Sequence, residues 1–220
     1  MSGNQSRFLR WIGPLLGGLA LLAYFFTLSR GAFPGQSAHL VVEHAGLDPF
    51  ASSSSPLWGF AVWVLGRLPL GSLMLRLNLF SALCAALVVA LFCRVMVRAV
   101  LGTIEIAPRN RAAAMTAAAL AAITGGLFLA FSVPFWSIAN RAHSASFDLL
   151  LLLIVTDLFV GLVKDFSFGR GMVFGLLYGL GTVEFATFIV LAPLFAIGLL
   201  YALWKQERLE WKPLLPMLAC

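Results

Sequence analysis

The sequence predicts an all-α integral membrane protein, built as a bundle of transmembrane helices with short polar connections. Two features of the composition lead to this fold class. Hydrophobic residues make up 61% of the 220 residues and charged residues only 11%, whereas an average soluble domain is roughly half apolar and about a quarter charged. The mean hydropathy is +0.96. A third observation is that several apolar segments approach the roughly 20 residues that a helix needs to cross a bilayer.

Six segments are predicted to cross the membrane, because each is apolar and is flanked by charged or polar residues. These predicted spans are residues 11–28, 77–97, 112–132, 147–163, 172–186 and 187–204. The last two divide a single apolar stretch, which as one helix would be about 50 Å long against a bilayer core of about 30 Å. Glu184 lies in that stretch and marks the predicted turn between the two spans.

The first span begins after Arg7 and Arg10, a pattern shared by signal peptides and retained anchor helices. No small-residue cleavage site follows, because Arg30 interrupts the sequence after the apolar run. We therefore predict a retained anchor and a single transmembrane domain over residues 1–220. The chain ends at Cys220 inside a new apolar run, so we expect an N-terminal fragment whose C-terminal remainder is missing.

Positive charge is distributed unequally between the two sides that this topology defines. With the N-terminus in the cytoplasm, the basic residues predicted inside are Arg7, Arg10, Arg94, Arg98, Arg109, Arg111, Lys164, Arg170, Lys205, Arg208 and Lys212. Those predicted outside are Arg30, Arg67, Arg76 and Arg141. Cytoplasmic loops carry such an excess, so we predict a multi-pass inner (plasma) membrane protein with a cytoplasmic N-terminus. The sequence contains no basic stripe interleaved with aromatic residues, so nucleic acid is not predicted as a partner.

The first outer loop, residues 29–76, is rich in polar side chains. An apolar stripe with helical spacing runs through Ala38, Val41, Val42 and Ala45. Gln36, His39 and Glu43 lie on the opposite face, so residues 36–45 are predicted to form an amphipathic helix on the outer membrane surface. That face is either a binding surface or simply solvated. A single His/Glu pair makes a poor zinc site, so no metal site is predicted.

The apolar segment that follows, residues 56–69, is too short to span comfortably and is predicted to be a re-entrant or surface helix. After it, Arg76 and Asn78 lie at the outer end of the second span. An arginine there can bind a phosphate through two hydrogen bonds, but it can equally extend to the interface while its stem stays in lipid.

Three carboxylates lie in or beside apolar spans: Asp148, Asp157 and Glu184. A charge there is costly and usually faces a cavity or a partner. Glu184, Arg141 and His143 are predicted on the outer side and could line one cavity. Asp148 is explained more simply as a favourable charge near a helix N-terminus. For Asp157 the sequence leaves open a hydrogen bond to a neighbouring helix.

Cysteines and tryptophans are predicted to be structural. Cys84, Cys93 and Cys220 all lie in apolar runs and resemble small core hydrophobes rather than metal ligands. The tryptophans Trp11, Trp58, Trp63 and Trp204 are predicted to anchor helices at the membrane interface. No phosphate-binding loop, nucleophile elbow or zinc-protease motif occurs.

The segment Gly-Ser-Leu-Met-Leu-Arg-Leu-Asn-Leu-Phe-Ser-Ala-Leu, residues 71–83, resembles a motif of a bacterial multi-pass membrane family of unknown function. That family is related to the protein O-mannosyltransferases of the GT-C glycosyltransferase superfamily. Pro-Leu-Trp at 56–58 and Phe-Trp-Ser at 135–137 resemble two further family motifs. The resemblance covers most of residues 20–200 and identifies a divergent member. It implies a GT-C-like transmembrane helix bundle with a long first outer loop carrying juxtamembrane helices.

The resemblance also implies an activity, the transfer of a sugar from a polyprenyl-phosphate carrier to an acceptor on the outer face. In the family an acid of the first outer loop is the base, but here Gln36-Ser37-Ala38-His39 stands where the family has two acids. We therefore predict that Glu43 or Asp48 is the catalytic base. The predicted substrate-binding residues are Gln36, His39, Arg76, Asn78, Arg141, His143 and Glu184.

The predicted ligands are membrane lipid and a lipid-linked sugar as donor, with the acceptor unidentified and a divalent metal left open. Two other functions remain as alternatives. The missing loop acids favour a non-catalytic membrane scaffold subunit. Asp157 and Glu184 lie within apolar segments, which favours a transporter. Many transporters contain inverted repeats, and the sequence shows none that would support this alternative.

Overall fold

The structure of the protein, a computed structural model, describes residues 3–29, 42, 55–69, 71–103 and 111–205. Within these ranges the fold is a helix bundle. We number the helices α1 (Gly3–Phe26), α2 (Pro56–Gly66), α3 (Leu73–Thr103), α4 (Arg111–Phe131), α5 (Val133–Ala139), α6 (Ser144–Lys164), α7 (Phe168–Glu184) and α8 (Thr187–Lys205). The predicted all-α fold class is confirmed.

Five helices are long and apolar enough to cross a membrane: Phe8–Phe26, Leu73–Gly102, Arg111–Phe131, Ser144–Lys164 and Thr187–Trp204. The protein is therefore a multi-pass membrane protein. Helix α7 has 17 residues and overlaps in sequence with the predicted span 172–186. It is not among the five helices that are long and apolar enough to cross. The total number of crossings and the side on which the N-terminus lies stay predictions.

Alternating helix directions give the bundle two chemically different ends. At the polar end, where α1, α4 and α7 finish, the side chain of Asn78 near the start of α3 contacts Ser29 just after α1. At the basic end, where α3 and α6 finish, Arg98 contacts Asp157. We use these two names, the polar end and the basic end, below.

Small residues bring α1 and α3 into close contact. A Cβ atom added at Gly13 would lie 2.6 Å from the carbonyl oxygen of Ala90, and one added at Gly17 would lie 2.9 Å from that of Ala86. Helix α4 buries a stripe of small side chains, formed by Ala114, Ala118, Ala122, Gly126 and Ala130. Such contacts hold transmembrane helices together because lipid tails supply no hydrophobic driving force between them.

Helix α3 shows that length alone does not divide an apolar segment. It is continuous over 31 residues, or about 46 Å, although residues 94–98 were expected beside a loop. Arg94 and Arg98 lie within the helix, and their side chains pair with Asp157 of α6. The stretch 172–204 does divide, because α7 ends at Glu184 and α8 begins at Thr187.

Candidate functional site

The N-terminus of α2 is bound by a carboxylate from another helix. Glu184, the last residue of α7, is 4% exposed. Its Oε2 accepts a hydrogen bond from the backbone N–H of Leu57 at 2.6 Å, and its Oε1 accepts one from that of Trp58 at 3.0 Å. N–H groups in the first turn have no partner within their own helix, and they carry partial positive charge. Glu184 therefore fastens α2 to α7.

The C-terminus of α2 is bound by a cation. Nη1 of Arg76 donates to the carbonyl oxygens of Leu65 at 2.8 Å, Gly66 at 3.0 Å and Leu68. Carbonyls in the last turn lack helical partners and carry partial negative charge. The guanidinium is thus the electrostatic counterpart of Glu184, and α2 has opposite charges at its two ends. We call this pair the α2 clamp.

Aromatic packing closes the space beneath α2. Trp58 is fully buried, with its ring centroid 5.4 Å from that of Phe80 and 6.5 Å from that of Phe147. The prediction that Trp58 anchors the interface is wrong, because the ring packs into the bundle instead. The other three tryptophans predicted as anchors, Trp11, Trp63 and Trp204, are exposed. Nε1 of Trp58 has no hydrogen-bond partner among the described residues.

Asn78 joins three chain segments at the polar end. Its side chain is fully buried. Nδ2 donates to the carbonyl oxygen of Ser29 at 2.7 Å, and Oδ1 accepts from the N–H of Ala142 at 2.7 Å. Two neighbouring bonds extend this network, from Asn140 Nδ2 to Thr27 Oγ1 at 3.1 Å and from the Ser29 N–H to the Asn140 carbonyl at 3.3 Å. The segment after α1 is therefore held against the turn between α5 and α6.

His143 caps helix α6. Its Nδ1 accepts a hydrogen bond from the N–H of Ala145 at 3.0 Å, which requires that nitrogen to be unprotonated. Burial, and next the charge of Arg141, lower the pKa of His143 below its usual value of 6.5. The Ser81 hydroxyl accepts from the N–H of His143 at 3.2 Å. The neutral imidazole is thus the form that the fold uses.

Asp148 is a candidate that sequence analysis explained too simply. It is the fifth residue of α6, beyond the first turn where a helix dipole acts most strongly. The residue is 5% exposed, and its side chain has a hydrogen bond to Ser144 and an electrostatic interaction with Glu184. Its Oδ1 has no partner among the described residues. The available signal was a carboxylate inside an apolar span, which marks a functional candidate by default.

The other predicted site residues divide into two groups. Gln36, His39, Glu43 and Asp48 lie outside the described residues, as does the predicted helix 36–45 apart from Val42. Arg76, Asn78, Arg141, His143 and Glu184 all lie at the polar end, and four of them make the bonds given above. Their binding of substrate stays a prediction. In the described ranges no three His, Cys, Asp or Glu side chains gather as metal ligands.

Both flanks of the outer loop are attached at the polar end. On one side Ser29 is bonded to Asn78 and Asn140. On the other side Ser55 is 8% exposed and directly precedes α2, whose N-terminus is bound by Glu184. The loop that carries Glu43 and Asp48 thus leaves and rejoins the bundle at the end where Asp148 is buried.

Comparison with known proteins gives one family. The family model described as the protein O-mannosyl-transferase TMEM260 N-terminal domain matches residues 38–210. The match includes α2, both members of the α2 clamp, Asn78 and Asp148. No curated protein and no solved structure matches the chain.

Proposed function

The chain belongs to the family of TMEM260-type protein O-mannosyl-transferase N-terminal domains, and on that basis we propose that it takes part in mannosyl transfer at a membrane. The donor is a polyprenyl-phosphate-linked mannose and the acceptor is a protein hydroxyl on the outer face. The observation that carries the proposal is the attachment of both loop flanks to the polar end, at Ser29 and at Ser55. Both ends of the loop that carries these acids thus lie at the end of the bundle where Asp148 is buried.

The reaction needs a base, an electrophile and a stabilised leaving group. The acceptor oxygen attacks the anomeric carbon of the sugar, and the bond from that carbon to the carrier phosphate breaks. The bonding electrons leave with the polyprenyl phosphate, while the base removes the hydroxyl proton. Glu43 and Asp48 are the proposed bases. Arg141, beside His143 at the polar end, is the proposed cation for the phosphate, because charge develops on that group.

The contacts of Arg76 argue against assigning the phosphate to that residue. Arg76 already donates to three carbonyl oxygens of the segment 65–68. Moving it to a phosphate would leave the C-terminus of α2 without those donors. Arg76 and Glu184 therefore support the site by positioning α2.

The test is mannosyl transfer by the full chain in lipid nanodiscs, with labelled polyprenyl-phosphate mannose and a Ser/Thr-rich peptide. Loss of a general base reduces a rate by about 10²–10⁴-fold, so Glu43→Gln or Asp48→Asn should show such a loss. Glu105→Gln is the matched control, since it removes an acid from the segment between α3 and α4. Full activity in both loop variants would contradict the proposal.

A non-catalytic scaffold is the second candidate, and one observation favours it. Two of the residues predicted to bind substrate, Arg76 and Glu184, contact the backbone of α2. A scaffold function is compatible with contacts that hold α2 in place, and it requires no catalytic base. Wild-type protein that transfers no mannose and co-purifies with a separate transferase, whose activity depends on it, would favour this function.

A further inference from the structure

The basic end contains a cavity with no role in the proposed transfer. It lies among α1, α3 and α4, at the opposite end of the bundle from the α2 clamp, and has a volume of about 830 Å³. This volume lies within the roughly 300–1,000 Å³ typical of ligand pockets. The close approach of Gly13 to Ala90 forms part of its wall.

The lining of this cavity combines two chemistries. Its apolar part includes Leu9, Pro14, Leu87, Leu91 and Met115. Its charged part consists of four arginines, Arg10, Arg94, Arg98 and Arg111. An apolar volume beside clustered arginines has the complementarity of a hydrocarbon chain attached to an anion, since arginine binds phosphate oxygens through paired hydrogen bonds.

Protein contacts neutralise part of this charge. Oδ2 of Asp157 lies 3.3 Å from Nη2 of Arg94, and Oδ1 lies 2.5 Å from Nη1 of Arg98. This one carboxylate therefore serves two of the four arginines. Arg10 and Arg111 have no carboxylate partner within the described residues. The described lining thus retains net positive charge beside its apolar part.

We propose that this cavity binds an anionic phospholipid, with its phosphate against Arg10 and Arg111 and part of one acyl chain between α1 and α3. The predicted topology places the basic end on the cytoplasmic side, where the leaflet carries anionic lipid. The lipid completes the charge balance of the basic end and fills the apolar space. The proposal does not depend on mannosyl transfer, because the cavity lies at the end away from the candidate site.

The test measures lipid binding to the delipidated full chain in neutral detergent by native mass spectrometry. Phosphatidylglycerol should bind at least about tenfold more tightly than phosphatidylcholine, because each arginine near the headgroup adds electrostatic attraction. The double variant Arg10→Gln/Arg111→Gln should reduce this preference to near unity. Neither arginine makes a described contact that its loss would break.

The matched control is Arg67→Gln/Arg170→Gln, which removes two arginines outside the cavity and should keep the preference. Leu87→Trp, which fills the apolar part, should weaken both lipids while its melting temperature verifies folding. Glycerol phosphate separates the two sources of a phosphate, and it should not displace the lipid. Displacement by glycerol phosphate, equal binding of the two lipids, or equal losses in the two double variants would each overturn the proposal.

Discussion

The two ends of the bundle are held together by different interactions. At the polar end, Asn78, Ser81 and His143 bond mainly to backbone groups, and the charged members of the α2 clamp also contact backbone. At the basic end, side chain meets side chain in the ion pairs of Asp157 with Arg94 and Arg98. Backbone contacts fix the course of the connecting segments, whereas ion pairs fix the spacing of helices. The candidate site lies where the connections are fixed.

This contrast predicts different responses to salt. Hydrogen bonds to buried backbone groups are little affected by ionic strength, whereas partly exposed charge pairs are screened. Variants of the buried groups at the polar end, such as Asn78, should therefore lose the same stability at low and high salt. Variants at the basic end should lose less stability at high salt than at low salt.

Asn78→Ala should have the largest effect on stability. It removes both bonds of a fully buried amide and leaves the Ser29 carbonyl and the Ala142 N–H without their partner, at about 1–3 kcal/mol for each unsatisfied group. We expect a loss of about 2–4 kcal/mol in the free energy of unfolding, measured by titration with a denaturing detergent. Ser137→Ala is the control, since the hydrogen bond that it removes, from the Ser137 hydroxyl to the Pro134 carbonyl, is exposed to solvent. A loss of stability that becomes smaller at high salt would contradict the proposed difference between the two ends.

Asp157→Asn should cost about 1–3 kcal/mol, less than the 3–5 typical of a fully buried pair, because Arg94 and Arg98 are partly exposed. The comparison is unfolding at low and at about 1 M salt, where screening acts over roughly 3 Å. Asp165→Asn is the matched control, since the Arg170 pair is exposed and should contribute little. An effect independent of salt would show that charge is not the cause.

Glu184→Gln should loosen α2 without unfolding the bundle. The amide retains one acceptor oxygen but loses the charge at the helix N-terminus, which together amount to about 1–2 kcal/mol. Trp58, whose backbone N–H donates to Glu184, provides the local fluorescence signal. Its fluorescence should shift to longer wavelength as the ring becomes exposed. Glu184→Asp is the matched variant that keeps the charge, and an unchanged spectrum in Glu184→Gln would argue against the α2 clamp.

His143→Ala should have the smallest effect, about 1 kcal/mol, the usual contribution of a helix N-cap. Because burial lowers the pKa of His143 in the folded state, the folded protein binds a proton less readily than the unfolded chain. The contribution of the cap is complete above pH 6.5 and is lost as pH falls from there through the folded pKa. His143→Asn should keep the cap and flatten this decline in thermal melts between pH 5 and 7.

The sequence was sufficient to predict the presence of most of the long helices, because lipid imposes a simple rule on composition, but it did not predict α5. Long apolar runs predicted α1, α4 and α6, and the charge of Glu184 predicted the division between α7 and α8. The extra length of α3 was not predicted, and the partner of Arg98 within it, Asp157, lies 59 positions further along the chain. Cys84 and Cys93 were predicted to be small core residues, and both are buried and free.

The roles of the polar residues were harder to predict. Sequence analysis identified Arg76, Asn78, His143 and Glu184 as important but could not show that their partners are backbone atoms. A backbone N–H or carbonyl is present at every position, so no sequence pattern marks the one that a distant side chain will contact. Ser81 and Asn140 were missed because the groups that their side chains contact, at His143 and at Thr27, are distant in the chain.

Pro56 determines where the outer loop ends. It occupies the first position of α2 and, having no N–H, offers nothing to an acceptor. The next two amides are taken by Glu184, and the amide of Gly59 bonds to Ser55 at 2.9 Å. A slide of the chain by one residue would therefore present to Glu184 either Pro56, which has no donor, or Gly59, whose amide already bonds to Ser55. An insertion or deletion upstream changes the length of the loop and leaves the register of everything after it intact.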